Sequence, residues 1–407
     1  MNGFSEEISL EGHIIDSWIL PKVFDTVMDL GGEFDLQEIR VGRRKDETSF
    51  ARLMISAASE AQLHRILIAL QSYGATLVSR DDVQTEPAPC DGGLPDDFYA
   101  TTNLPTQVRL DGHWVDVAGT EMDLVIVVDR AGASARMIPL DTVQRDDPIV
   151  VGHDGIRVLP LQRSREREVF SFMASDVSAE KPKRLVIGEI AKQMREARAR
   201  GNKILVVAGP AIVHSGAAPY LAQIIRAGFV QVLFGGNAIA VHDVEAALLG
   251  TSLGVALDNG APIEGGHRHH MIAINTIRRA GGLRAAVEQG ILRSGIMYEC
   301  IRHNVELVLA GSIRDDGPLP DVITDAIAAQ RRMRAALPGV EIALMVSTML
   351  HSIATGNMLP ASVKVVAVDI NPAVVTKLAD RGTFQALGLV TDAELFMREL
   401  ADSLATA

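Results

Sequence analysis

The chain is short of several features that whole classes of protein depend on. It has two cysteines, Cys90 and Cys300, in 407 residues, too few for a disulfide framework or a four-thiolate metal site and in keeping with a reducing compartment. No apolar run reaches the ~18 residues that crossing a membrane takes, and Met1 to His13 is acidic where a signal peptide would be basic and then apolar. Positive charge is also in deficit. With 51 acidic against 39 basic side chains the formal charge is −12, so the molecule repels phosphate backbones and anionic membranes, and nucleic acid and membrane are not expected as partners. Both the GxGxxG fingerprint and the GxxxxGK[ST] phosphate loop are missing, which removes the usual warrant for a kinase or ATPase. A cytoplasmic protein is expected.

What the chain does have is 47% apolar, 22% charged and only 4% aromatic residues, the balance of a soluble α/β protein, and enough length for two or three domains at ~150 residues each. Residues 1–80 read as a ferredoxin-like βαββαβ module. Its strand Ser9 to Asp16 leads to a helix from Ile19 to Leu30, then to a hairpin-like pair, Glu33 to Val41 and Phe50 to Ala57. A helix through Leu63, Ile66 and Leu70 and a last strand at Ala75 to Ser79 complete it. Residues 81–105 concentrate Pro, Gly and Asp and read as a linker. Residues 106–165 carry short β-rich stretches and read as a small β domain. Gln162 to Lys183 is charged and connects onward, with room for a short amphipathic helix.

Residues 184–407 repeat strand then helix. The apolar runs Ile204 to Ala208, Val230 to Phe234, Val305 to Ala310, Glu341 to Val346 and Val363 to Asp369 suit strands covered on both faces. A doubly wound, Rossmann-like parallel sheet follows, with its ligand outside the carboxyl ends of the strands. Nearly every one of these strands ends in glycine or a small polar residue: Gly209-Pro210, Gly235-Gly236-Asn237-Ala238, Gly311-Ser312, Ser347-Thr348 and Asp369-Ile370-Asn371. Glycine allows close backbone approach and helix starts attract phosphate, so these turns form a nucleotide-pocket candidate. The plain alternative is that any such sheet needs small residues in its turns. Asp369 is placed to accept both hydroxyls of an adenosine ribose, which favours NAD over NADP. Alternatively the segment starts a helix, with Asn371 as cap and Pro372 as first residue.

Two polar loops are candidates for the chemistry. Leu257 to His270, LDNGAPIEGGHRHH, gathers Asp258, Asn259, Glu264, His267, Arg268, His269 and His270. Histidine passes protons near neutral pH and a carboxylate accepts one from an amine. A metal site is the rival, though the spacing matches no familiar zinc pattern. In Gly311 to Asp321, GSIRDDGPLPD, Arg314 is able to clamp a carboxylate, and Asp315 or Asp316 to hold an ammonium or act as base. A solvated charged turn is the alternative. His351 follows a strand in mostly apolar surroundings and fits a core histidine as well as a functional one, and Cys300 reads as a plain buried thiol.

The segments GGNAIAVHDVEAALLGTSLG, GGHRHHMIAINTIRRAGG, GSIRDDGPLPD, STMLHSIATGNMLP and VDINPAVVTKLADRG, with the N-terminal SLEGHIIDSWILPKVFDTVMDLGGEFDLQEIRVG, resemble one family over nearly the whole chain. It is the archaeal-type ornithine cyclodeaminases, whose first region is the conserved domain of lysine-oxoglutarate reductase/saccharopine dehydrogenase. The chain is also similar to the C-terminal half of the cyanobacterial arginine dihydrolase/ornithine cyclodeaminases, with no dihydrolase domain expected ahead of it. The resemblance implies NAD-dependent, redox-neutral conversion of L-ornithine to L-proline and ammonia, with NAD in a C-terminal domain like that of deoxyhypusine synthase. It places the cofactor near Gly235, Gly236, Asn237, Ser312 and Asp369, and maps no catalytic lysine or carboxylate.

The residues and the resemblance together predict the following roles. Glu264, His267 and Asp315 move protons, and Asn259, Arg268, His269 and Arg314 bind an amino-acid substrate. Gly209, Pro210, Gly235, Gly236, Asn237, Ala238, Asp258, Ser312, Asp369 and Asn371 hold NAD, and no metal is expected. A homo-oligomer, dimer or tetramer, is expected through the N-terminal sheet edge. An opine or amino-acid dehydrogenase and a non-catalytic amino-acid sensor stay open as alternatives.

Overall fold

In strand β3 (Ser49–Ala57) every second residue is buried, so the sheet it belongs to has one covered face. That sheet also holds β1 (Phe4–Gly12), β2 (Glu33–Arg40) and β4 (Thr76–Leu77), in the order β2-β3-β1-β4 and antiparallel throughout. Helices Ile19–Asp29 and Glu60–Gln71 intervene in the chain, giving the ferredoxin-like βαββαβ order. Ile8, Leu10, Leu53 and Ile55 from the sheet meet Val23, Val27, Ile66 and Leu70 from the helices in one core. The computed structural model that shows this describes residues 4–15, 17–44, 47–71, 73–77, 81–159, 183–257, 261, 263, 265–315, 317–380 and 386–405.

The first strand runs earlier than its apolar pattern predicts, ending at Gly12 rather than at position 16. Ile8 and Leu10 point inward, and Gly12 breaks the strand with φ 136, so Ile14 enters the core from a turn. A second departure is in 81–105, the expected linker. Strand β5 (Gln84–Pro87) lies inside it and pairs with β10 (Pro148–Val151), and Tyr99 is buried in the same core. Backbone pairing and burial thus outweigh a composition that reads as irregular. Strands β6 (Thr106–Leu110), β7 (His113–Ala118), β8 (Val125–Asp129), β9 (Ser134–Ile138) and β11 (Ile156–Val158) complete a sheet in the order β11-β6-β7-β9-β8-β10-β5. The connecting helix expected after Gln162 lies outside the described residues up to 182.

The chain divides into two compact units, Met1–Ser171 with Asn357–Ser362, and Phe172–Gly356 with Val363–Ala407. In the second unit β12 (Lys203–Ala208), β13 (Val232–Gly236), β16 (Glu306–Ala310), β17 (Val322–Ile323), β18 (Val340–Val346), β19 (Lys364–Asp369) and β20 (Ala386–Val390) form one wholly parallel sheet. A short hairpin, β14 (Thr251–Ser252) with β15 (Val255–Ala256), stands apart from it. The parallel order is β17-β16-β13-β12-β18-β19-β20. From β12 the chain builds outward through β13 and β16, then returns to the other side with β18, β19 and β20, which is the doubly wound Rossmann arrangement. β12 is buried from Ile204 to Ala208, as helices on both faces require.

Candidate functional site

The strand order reverses between β12 and β18, and the crevice of a doubly wound sheet opens at that point. There the two strand ends nearly touch. The Gly209 amide donates to the Val346 carbonyl at 3.0 Å, and a Cβ on Gly209 would sit 1.8 Å from the Ser347 carbonyl oxygen. Only glycine fits, while Ser347 itself takes a left-handed φ of 52. Pro210 then begins the turn into the short helix Ala211–His214.

One strand over, Gly235 and Gly236 close β13. A Cβ on Gly235 would meet Ile239 at 2.8 Å, and one on Gly236 would press on the His351 ring at 3.1 Å. Gly236 starts the helix Asn237–Leu249 without a side-chain cap, so its first-turn amides and the positive end of its dipole face the rim. Asn237 is buried and its Oδ1 accepts from the Leu319 amide at 3.1 Å, so it ties down the loop 311–321. Ala238 is exposed.

In that loop the Asp315 carboxylate accepts from the Ser312 amide at 2.8 Å, and Ser312 Oγ accepts from the Arg314 amide at 3.2 Å. Arg314 is exposed. His351, on the helix Leu350–Met358, is held below its ordinary pKa by burial, while the nearby Asp315 carboxylate pulls the other way. Gly236, Asp315 and His351 therefore converge on one rim, and His351 belongs with the site rather than with the core alone.

At the end of β19, Asp369 Oδ1 accepts from the Asn371 amide at 2.8 Å, and Asn371 Oδ1 accepts from the Ala373 amide at 3.0 Å. The capping alternative is thus realised by Asn371. Asp369 stays half-buried, one strand beyond the switch point.

The loop 257–270 is held by a different set of contacts. Asp258, Asn259 and Glu264 lie outside the described residues. His267 and Arg268 are exposed on a 3₁₀ turn whose Gly266 packs against Gly254. His269, which starts the helix His269–Ala280, makes a 2.8 Å hydrogen bond to Thr251 Oγ1. Thr251 in turn donates to the fully buried Glu245. Burial pushes the Glu245 carboxyl up, but hydrogen bonds from His242, Gly254 and Thr251 together outweigh it and hold the group low. Sequence reasoning missed Glu245, His242 and Thr251. The available signal was a carboxylate in the middle of the apolar helix AIAVHDVEAALL.

Among the described residues no group of three or more His, Cys, Asp or Glu side chains gathers as metal ligands would. Cys300 is buried and its thiol is pushed well up by burial, which leaves it inert.

Family models match the chain in three parts. These are the LOR/SDH bifunctional enzyme conserved region over residues 5–104, the first region of the C-terminal part of the arginine dihydrolase ArgZ-like proteins over 105–187, and the Rossmann fold of that part over 188–400. An ornithine cyclodeaminase of Methanothermobacter thermautotrophicus is 52% identical over 97% of this chain and 96% of its own. The crystal structure of ArgZ, an arginine dihydrolase of cyanobacteria, superposes with a TM-score of 0.86 at 42% identity, covering 100% of this chain and 59% of that one. A ternary complex of AgrE with ornithine and NAD+ superposes with a TM-score of 0.54 at 43% identity, over 99% of this chain and 58% of that one.

Proposed function

The chain belongs to the family of the LOR/SDH conserved region and the ArgZ-like C-terminal domains, and from that premise we propose that it is an NAD-dependent enzyme converting L-ornithine to L-proline and ammonia. That it is an enzyme follows from its likeness, over nearly full length, to archaeal ornithine cyclodeaminases. The observation that carries the cofactor is the switch-point cradle. Gly209 leaves no room for a side chain beside Ser347, and Gly236 leaves an uncapped helix start at the same rim. A dinucleotide's pyrophosphate suits such a place, and the AgrE complex contains NAD+ together with ornithine.

Gly209, Pro210, Gly235, Gly236 and Ser312 would hold the cofactor, with Asp369 toward the ribose and Asn237 keeping the 311–321 loop over it. Bound there, NAD would supply a hydride acceptor for the first half of the cycle and return the hydride in the second. The chain's own side chains do the rest. Arg314 and Arg268, both exposed, are available to the substrate carboxylate. His351 is neutral near pH 7 because burial disfavours its charged form, so it is able to take a proton, and Asp315 steadies the imidazolium that results. By the composition of their loop we assign Glu264 and His267 to proton transfer, Asn259 to the substrate and Asp258 to the cofactor. The same reading makes the protein a cytoplasmic homo-oligomer, supported by the exposed apolar side chains Leu36 and Ile39 on edge strand β2.

The test is incubation of the purified chain with L-ornithine and NAD, following ammonia and proline by mass spectrometry and NADH by absorbance. Stoichiometric proline and ammonia with no net NADH is the expected result. Accumulating NADH would mean a dehydrogenase, and binding without product would mean a sensor.

A further inference from the structure

Glu245 is fully buried and has four hydrogen-bond partners. Its Oε1 lies 2.9 Å from Thr251 Oγ1 and 3.0 Å from the Gly254 amide, and its Oε2 lies 3.1 Å from His242 Nδ1 and 3.3 Å from the Leu253 amide. The two amides can only donate, one to each oxygen, and the hydrogen bonds hold the carboxyl low, so Glu245 is ionised and has no proton to give. The hydroxyl proton of Thr251 is therefore committed to Glu245. Thr251 Oγ1 also lies 2.8 Å from His269 Nδ1, and with its one proton spent it is able only to accept there. Nδ1 of His269 must then carry a proton. Since a neutral imidazole has one N–H, Nε2 is left bare, and it has no partner among the described residues.

We infer that Glu245, Thr251 and His269 form a tautomer lock, in which the two buried side chains hold His269 as the Nδ1–H form so that its Nε2 serves as proton acceptor for a substrate amine. The inference rests on the proposed reaction for its substrate. The distal amine of a diamino acid arrives as an ammonium and must lose a proton before its lone pair attacks carbon. Nε2 takes that proton, giving an imidazolium whose Nδ1–H still points at Thr251. The proton is returned to the departing ammonia, so none is gained or lost over the cycle. Glu245 and Thr251 are positioning residues and His269 is the one that meets the amine.

The surroundings favour this direction of flow. The neighbouring helix 237–249 presents Glu245 and, beside it, His242. The hairpin β14/β15 presents the hydroxyls of Thr251 and Ser252, and Ser252 Oγ is 2.6 Å from His214 Nδ1. The His214 and His242 rings lie edge to face at 4.7 Å, and burial first, then His242, holds His214 below its ordinary value. The turn before His269 adds His267 and Arg268, both exposed. Among the described residues Glu245 is the buried carboxylate hydrogen-bonded to this set, and Thr251 Oγ1 links it to His269.

The direct test is long-range ¹⁵N–¹H NMR on histidine-labelled protein, which reports the tautomer without any turnover. His269 is expected as Nδ1–H in the parent and in T251S, and as the ordinary Nε2–H form in T251V. In kinetics, H269Q is expected to lower kcat about 100-fold or more, T251V about 10- to 100-fold, and T251S less than about threefold. The acidic limb of the T251V pH profile should also move. Nε2–H at His269 in the parent, or T251V matching T251S in both tautomer and kcat, would overturn the lock. A parent that makes no proline would instead defeat the proposed reaction and leave the tautomer result standing.

Discussion

His351 shows how one residue's neighbours decide its chemistry. Burial lowers its pKa and Asp315 raises it, so D315N is expected to lower it further, read by NMR titration of the ring. A native pKa below the unfolded value of about 6.5 means that the unfolded chain binds the proton more readily. The contribution to stability is therefore full above pH 6.5 and is lost as the pH falls from there through the native value, and D315N extends that loss further into acid. In sequence His351, after a strand and in mostly apolar surroundings, reads first as a core histidine. The ring's place against Gly236 depends on a helix that follows one strand meeting the end of another, which local pattern does not encode. Asn371 was the opposite case. Its capping role was legible because Asp-x-Asn-Pro is itself a helix-start signal.

The helix Asn237–Leu249 does more than cover the sheet. Beyond starting at the rim and carrying Glu245, it holds Asp243, whose carboxylate accepts from the Ile296 and Met297 amides at 2.8 and 2.7 Å and so caps the helix Ile296–Arg302. Burial lifts that carboxyl to about 6 against these two hydrogen bonds. D243A leaves two buried N–H groups unpaired and is expected to cost about 2–4 kcal/mol, measured by denaturant unfolding. The raised native pKa fixes the pH dependence of the parent. The ionised form is disfavoured in the fold, so the Asp243 contribution is greatest below the unfolded value of 3.8 and declines as the pH rises through about 6. D243A should flatten that stretch of the curve. Apolar periodicity predicts a helix over Ala238 to Leu249, one residue short of the observed Asn237–Leu249. It was silent on Asp243 and Glu245, because buried carboxylates sit where the period calls for apolar side chains and their partners lie 3 to 54 residues away.

At the scale of the molecule, a dinucleotide that binds only the folded state raises stability by about 2.7 kcal/mol at one hundred times its Kd. NAD is therefore expected to raise the melting temperature of the parent, with the rise lost in G209A, whose new Cβ would collide with the Ser347 carbonyl. A parent unmoved by saturating NAD would count against the switch-point cradle. The sequence by itself determined the fold class, because apolar period and glycine-ended strands are local properties that repeat element by element. It also set the expectation of no nucleic-acid partner, because net charge is a sum over residues and needs no geometry. Tertiary structure alone decided that strand β5 packs within a stretch of linker composition, that His351 joins Asp315 at the rim, and that Glu245 governs His269 through Thr251. Each of these is a contact between elements, and burial sets the pKa and the hydrogen-bond direction only once those elements meet.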